Sequence, residues 1–293
     1  EAGTTPAVVF DCDLAGSIKT TEVEKHYPSR FVQCGISEHN AASVAGAASA
    51  VGINAFFTTF AMFAIDEVYN QLRMNDINDS NLKVVSTHAG VDVGEDGRTH
   101  QCIDYLGLMR NAFGFKVLAP ADPNQTDAMT HYAAKHYGNF HIVMGRSKVP
   151  VITDEQGKPC FGEGYSFEYG QLDKIRDGKY PLLAFGGMLY RALDVRKLVG
   201  EQLAVYNAAT PTYINEDIIE ELAKAGKIFT YEDHNPMSGL YSTVCNIVAR
   251  KGLACKVIPF GVSRYALSGA SDDVFKLLGI DPESVAAAIK AEI

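Results

Sequence analysis

LKVVSTHAGVDVGEDGRTHQ, residues 82–101, decides the fold. It opens as a short run rich in β-branched residues and passes through His88 into a polar loop punctuated by Gly90, Gly94 and Gly97. A helical pattern follows after His100. That order reads as strand, glycine-rich loop and helix. Such loops, at the carboxyl ends of parallel strands, are where open α/β sheets bind ligands.

The same rhythm extends outward in both directions. AVVFDC, NAFFTTF, FKVLAPAD and FHIVMGR read as further strands, and EHNAASVAGAASAVG and NQTDAMTHYAAKHY as helices between them. Alternation of this kind predicts a mostly parallel sheet flanked by helices. After Arg146 a stretch rich in Gly, Pro and charge reads as linker and hairpin. The rhythm then resumes with PLLAFGG, LAVYNAA, KIFTYEDH and CKVIPFG, interleaved with two more helical segments. The reading is α/β with two consecutive domains, residues 1–165 and 166–293.

A chain of 293 residues with 47% hydrophobic and 21% charged residues has enough apolar surface for two packed cores. Its net charge of −9 disfavours nucleic acid and anionic membrane as partners. No apolar run approaches the roughly 18 residues needed to span a bilayer. The opening residues lack a signal-peptide pattern, so the expected location is cytoplasmic. The first residue is Glu1, and the expectation is that an N-terminal segment is missing or processed. Six scattered cysteines without a CxxC pair predict neither zinc nor a disulfide framework.

Three clusters carry chemistry. In Gly35-Ile36-Ser37-Glu38-His39-Asn40 a helix begins, with Ser37 as a candidate N-cap and Glu38 in the first turn. Taken alone, Glu38 reads equally as a carboxylate stabilised by the helix dipole. The loop from Thr87 to Gln101 crowds His88, His100, Glu95 and Asp96 together, which alone is also the composition of a polar surface loop. In Thr58-Thr59-Phe60-Ala61-Met62-Phe63 the two rings share a helix face, either as core or as a platform for a flat ring.

In order and spacing, these clusters resemble the middle and last domains of transketolase. GEDGRTHQ is similar to that family's GEDG-x-THQ, and GISEHN to its GI-x-EH. DLAGS (Asp13 to Ser17) resembles DL-x-x-S, TFAMF resembles TF-x-x-F, and YEDHNPMSGL resembles the acidic-His-Gly segment near the family's C-terminus. The resemblance covers essentially the whole chain. It implies a pyrimidine-binding domain followed by a transketolase C-terminal domain, with thiamine diphosphate as cofactor. The GDG segment that holds the magnesium diphosphate in this family does not occur in the 293 residues. The implied protein is therefore one subunit of a split transketolase. An N-terminal diphosphate-binding subunit would hold Mg2+, in a heterotetramer of two plus two acting on phosphosugars.

The resemblance also implies roles. Glu38 hydrogen-bonds the pyrimidine ring nitrogen and is catalytic; its enclosure by Phe60 and Phe63, which stack on the pyrimidine, suits a group that shares a proton. Asp13 joins the cofactor-binding set. His88 and His100 face the sugar hydroxyls and the reacting carbonyl and aid proton transfer. Asp96 bonds a substrate hydroxyl. Ser17 and Arg146 bind the substrate phosphate, a task that suits the guanidinium fork; alone, Arg146 reads as a surface ion pair. Glu232 and His234 serve structure or a subunit contact. Asp66 stands where many transketolases have an aromatic residue, and little of the sequence precedes Ala7, where the family usually has a helix with another phosphate-binding Arg. These departures keep open a relative such as deoxyxylulose-phosphate synthase, or one acting on an unusual ketose or keto acid. A non-catalytic regulatory subunit is the reading from another class.

Overall fold

The computed structural model describes residues 6–293; residues 1–5, which begin the stretch read for a signal peptide, lie outside it. The first domain is built on a six-stranded sheet: β1 (Ala7–Asp11), β2 (Phe31–Gln33), β3 (Asn54–Phe60), β4 (Leu82–Thr87), β5 (Phe115–Leu118) and β6 (Asn139–Val143). Its order is β2-β1-β3-β4-β6-β5, with every pairing parallel. All five residues of β6 and six of the seven in β3 are buried, because helices cover both faces.

The second domain carries β7 (Asp173–Arg176), β8 (Tyr180–Ala184), β9 (Leu203–Asn207), β10 (Lys227–Tyr231) and β11 (Lys256–Phe260) in the order β11-β10-β8-β9-β7. Only β7 runs antiparallel, against β9.

Helix starts follow local chemistry. Asp122 accepts the Gln125 N–H at 2.8 Å and precedes Pro123, which opens the helix Pro123–Lys135. Asp281 and Pro282 repeat the device for Pro282–Glu292. The helix Leu240–Arg250 is capped from a distance: buried Glu232 accepts the N–H groups of Leu240 and Tyr241 at 2.7 and 2.9 Å. A Cβ at Gly239 would stand 1.9 Å from the Glu232 carboxylate, so glycine is required there. His234 Nε2 accepts the Leu106 N–H at 3.1 Å and ties the domains together. Glu232 and His234 are thus structural, as expected from the sequence.

The two cores interlock. Phe57 and Leu106 of the first domain share a cluster with Phe185, Leu240 and Val244 of the second. Val91 and Ile103 pack into the second domain's core beside Leu182 and Tyr231.

Candidate functional site

From β1 the chain steps to β2 on one side, then crosses to β3 on the other. The crevice at the carboxyl ends of β1 and β3 is a topological switch point, the place where such sheets bind ligands. The predicted residues gather around it. Asp13 and Ser17 follow β1, Phe60 ends β3, and Glu38 opens the helix Glu38–Ala50 that follows β2.

Glu38 is 6% exposed, and its carboxylate makes no hydrogen bond or ion pair among the described residues. Ser37 occupies the cap position without capping: its hydroxyl donates to Cys34 O at 2.7 Å. Burial, with the charge of Glu38 as the next contribution, pushes the neighbouring Cys12 thiol up to about 12.

Phe60 and Phe63 do not share a regular helix face. Phe60 ends the strand and Phe63 sits in a π-turn, Met62–Asp66. The rings still stack, with centroids 6.2 Å apart and planes 19° from parallel. His88 lies over Phe60 at 3.8 Å, and His100 meets Phe63 edge-on at 5.4 Å. Four rings from three segments thus form one continuous row. Histidine 88 adopts φ +63°, a left-handed conformation unusual outside glycine. Burial lowers its pKa, aided by Arg146 and His100 and opposed by Asp96 and Asp92. The imidazole is therefore held neutral at pH 7.

The glycine-rich loop is braced by the second domain. Gly94 and Gly97 adopt φ +64° and +76°, and a Cβ on either would crowd Gly269 O or Ser268 Cβ at 3.2 and 3.3 Å. Gln101, 1% exposed, donates to Leu267 O and accepts the Ala266 N–H. The Ser268 hydroxyl donates to Glu95 O at 2.5 Å. This bracing leaves Asp96 exposed and His100 half-buried.

Arg146 is exposed and ion-paired: one nitrogen donates to Glu95 at 2.5 Å and to Val93 O at 3.1 Å. It also lines a cavity of about 530 Å³ between the domains, together with Ser17 and His88. Glu38, Phe60, Phe63, Asp13, Asp96 and His100 lie outside that lining.

Five further residues, given no site role from the sequence, have well-defined surroundings. Buried Asp11 accepts the Leu14 N–H and the Thr20 and Thr58 hydroxyls, and so shapes the turn that carries Ser17. Asp92 accepts from Ser147 N, Ser147 Oγ and Ser271 Oγ. Asp66, Cys102 and Asp104 bring three donor atoms within 4.8 Å of one another. The Cys102 thiol donates to Asp66 at 3.5 Å. Burial, then the charge of Asp104, pushes Asp66 up to about 7. The signal for Asp66 was its departure from the family pattern; for Asp11, a carboxylate at a strand end before a tight turn.

Comparison with known proteins places this geometry. Residues 4–151 match the family model described as the transketolase pyrimidine-binding domain, and residues 170–285 match the transketolase C-terminal domain. A chain named as a transketolase C-terminal section from Methanocaldococcus jannaschii is 31% identical over 98% of this chain and 90% of its own length. Human transketolase is 28% identical, but the match covers only 46% of that longer protein. A solved structure titled as a split gene transketolase, an inactive beta4 tetramer, superposes with a TM-score of 0.84 at 31% identity, covering 97% of this chain and 91% of that one. The chain belongs to the transketolase family and carries its pyrimidine-binding and C-terminal domains.

Proposed function

We propose that this chain is the pyrimidine-binding subunit of a thiamine-diphosphate-dependent transketolase. Joined to a diphosphate-binding subunit that holds Mg2+, it transfers a two-carbon ketol unit from a ketose phosphate to an aldose phosphate. The observation that carries the reading is Glu38, a buried carboxylate at a helix start with no partner among the described residues. An aminopyrimidine nitrogen that shares a proton with Glu38 supplies that partner.

When bound, thiamine diphosphate supplies the carbanion chemistry. This chain's residues do the rest. Glu38 holds a proton at the pyrimidine nitrogen. Phe60 and Phe63 offer the ring surface for its flat face, with Asp13 at the edge of the same crevice. Neutral His88, together with His100, moves protons at the substrate carbonyl and hydroxyls. Asp96 accepts from a substrate hydroxyl. Ser17 and Arg146, which share a cavity wall with His88, hold the phosphate.

Two observations support the dependence on a partner. The M. jannaschii relative has nearly the same extent as this chain. Ile36, Val44, Val51, Met74 and Ile77 are exposed around the helix that begins at Glu38; Val44 and Val51, seven residues apart, lie on one side of it. A two-plus-two heterotetramer would cover them.

Calorimetry on the chain alone and on the reconstituted assembly tests the reading. Thiamine diphosphate should bind the assembly with Mg2+ and bind the lone chain no better than weakly. Sub-micromolar affinity of the lone chain would defeat the split-subunit reading.

A further inference from the structure

The interdomain cavity has a second wall that ketol transfer does not use. In the second sheet the chain passes from β8 to β9 on one side, then crosses to β10 on the other. The crevice at the carboxyl ends of β8 and β10 is that sheet's own switch point. It opens into the cavity opposite the first domain, through Phe185, Gly186 and Gly187 after β8 and Asp233 after β10.

One charge on this wall has no partner of opposite sign in contact. Asp233 makes no ion pair and no hydrogen bond to another side chain among the described residues. Burial, then the nearby charge of Asp92, pushes its carboxyl up to about 7. Asp92 is already engaged three times, by Ser147 N, Ser147 Oγ and Ser271 Oγ. A Cβ at Gly90 would stand 1.9 Å from Asp233 Oδ2, so the first domain admits this carboxylate only because residue 90 is glycine.

Opposite in sign stands Arg191, whose side chain is 9% exposed. It lies over the Phe275 ring at 3.9 Å and gives one nitrogen to Asp272 at 2.8 Å. Arg191 sits in the first turn of the helix Met188–Val199, which begins at Gly187 with no side-chain cap. That helix start adds positive character beside the guanidinium. The Arg191 charge acts on Asp233 against the upward shift, and the lining they share includes the apolar side chains of Phe185, Met188 and Phe275.

We propose that this cleft binds a small zwitterion with an apolar body, an α-amino acid in its chemistry. The ammonium pairs with Asp233, the carboxylate with Arg191 and the start of the helix, and the side chain lies on Phe185 and Met188. A ligand without the ammonium leaves Asp233 unpaired in a poorly solvated cleft, and one without the carboxylate leaves Arg191 with only its exposed partner Asp272. The site shares its cavity with Ser17, His88 and Arg146 but uses none of them, and it does not depend on the ketol-transfer reading.

The test uses the full chain and three matched probes: L-phenylalanine, phenethylamine and 3-phenylpropionate. Ligand-observed NMR titration should show L-phenylalanine binding at millimolar or lower concentration, with each singly charged probe about tenfold or more weaker. Asp233→Asn should weaken L-phenylalanine by about tenfold to a hundredfold. Gly187→Leu should abolish binding with the fold intact, since a Cβ there meets only Val149, at 3.6 Å. Should Asp233→Asn fail to fold, Gly187→Leu decides alone. Absence of binding by L-phenylalanine, equal binding of either singly charged probe, or unchanged binding in a folded variant would each overturn the proposal.

Discussion

The His88 imidazole lies flat against the Phe60 ring, with centroids 3.8 Å apart and planes 23° from parallel. A residue expected to meet the substrate and a residue expected to meet the cofactor thus hold one another. Thr87 Oγ1 bonds His88 Nδ1 at 2.8 Å and fixes the ring's rotation. The strained φ of +63° places it there.

His88→Asn should keep the backbone, because Asn tolerates the left-handed region, while it removes the ring. In the reconstituted enzyme kcat should fall by about tenfold to a hundredfold, with the melting temperature within a few degrees of wild type. A large drop in melting temperature with kcat retained would reassign His88 to a structural role.

Glu38→Gln should cut turnover by about a hundredfold or more at saturating cofactor, the scale of a general acid–base contribution. Its stability cost should be small, because Glu38 has no partner among the described residues to lose. Near-full activity would leave Glu38 as an ordinary acidic residue at a helix start.

Arg146→Ala should raise KM for a phosphorylated ketose by about tenfold to a hundredfold, the worth of one charge-assisted contact. Hydroxypyruvate, which has no phosphate, should be affected much less. The pairing of Arg146 with Glu95 adds a second expectation: Glu95→Gln frees the guanidinium and lowers the same KM. Equal loss on both donors in Arg146→Ala would remove that residue from the substrate site.

Asp66 should make the chain less stable as pH rises. Its folded pKa of about 7 lies above the ordinary 3.8, so between those values the native state holds a proton that the unfolded state releases. Stability from this group is complete below about pH 4 and is lost as pH rises through 7. Asp66→Asn stays neutral throughout. It should match wild type near pH 4 and melt a few degrees higher at pH 8, corresponding to about 1 kcal/mol after solvent screening. Melting curves at the two pH values check this; a variant less stable than wild type at pH 8 would show that the ionised form is the stabilising one.

Much of this was legible in the sequence because the signals are local. The run NAFFTTF became β3 at the same bounds, and of the two duties expected for Glu232 and His234, structure or a subunit contact, the fold displays the first. Strands β2 and β7 escaped notice. The first has three residues, and the second, DKIR, buries only Ile175 at an antiparallel edge. The three-residue spacing of Phe60 and Phe63 suggested one helix face; a strand end followed by a π-turn stacks the rings instead. Asp233 and Asp66 carried no local signal of their shifted pKa values. Their acidic neighbours, Asp92 and Asp104, come from distant segments that only the fold brings near.

Gln101 and Ser268 have a consequence for how the protein can be taken apart. Their bonds stitch the loop after β4 to the segment after β11. The two domains are thus poor candidates for modular exchange. A chimera that takes its C-terminal half from a relative inherits foreign bracing under its own glycine-rich loop, and would have to import residues 94–101 along with it. For the same reason the chain should melt as one cooperative unit, and severing it between the domains would cost the loop its shape before either sheet unravels.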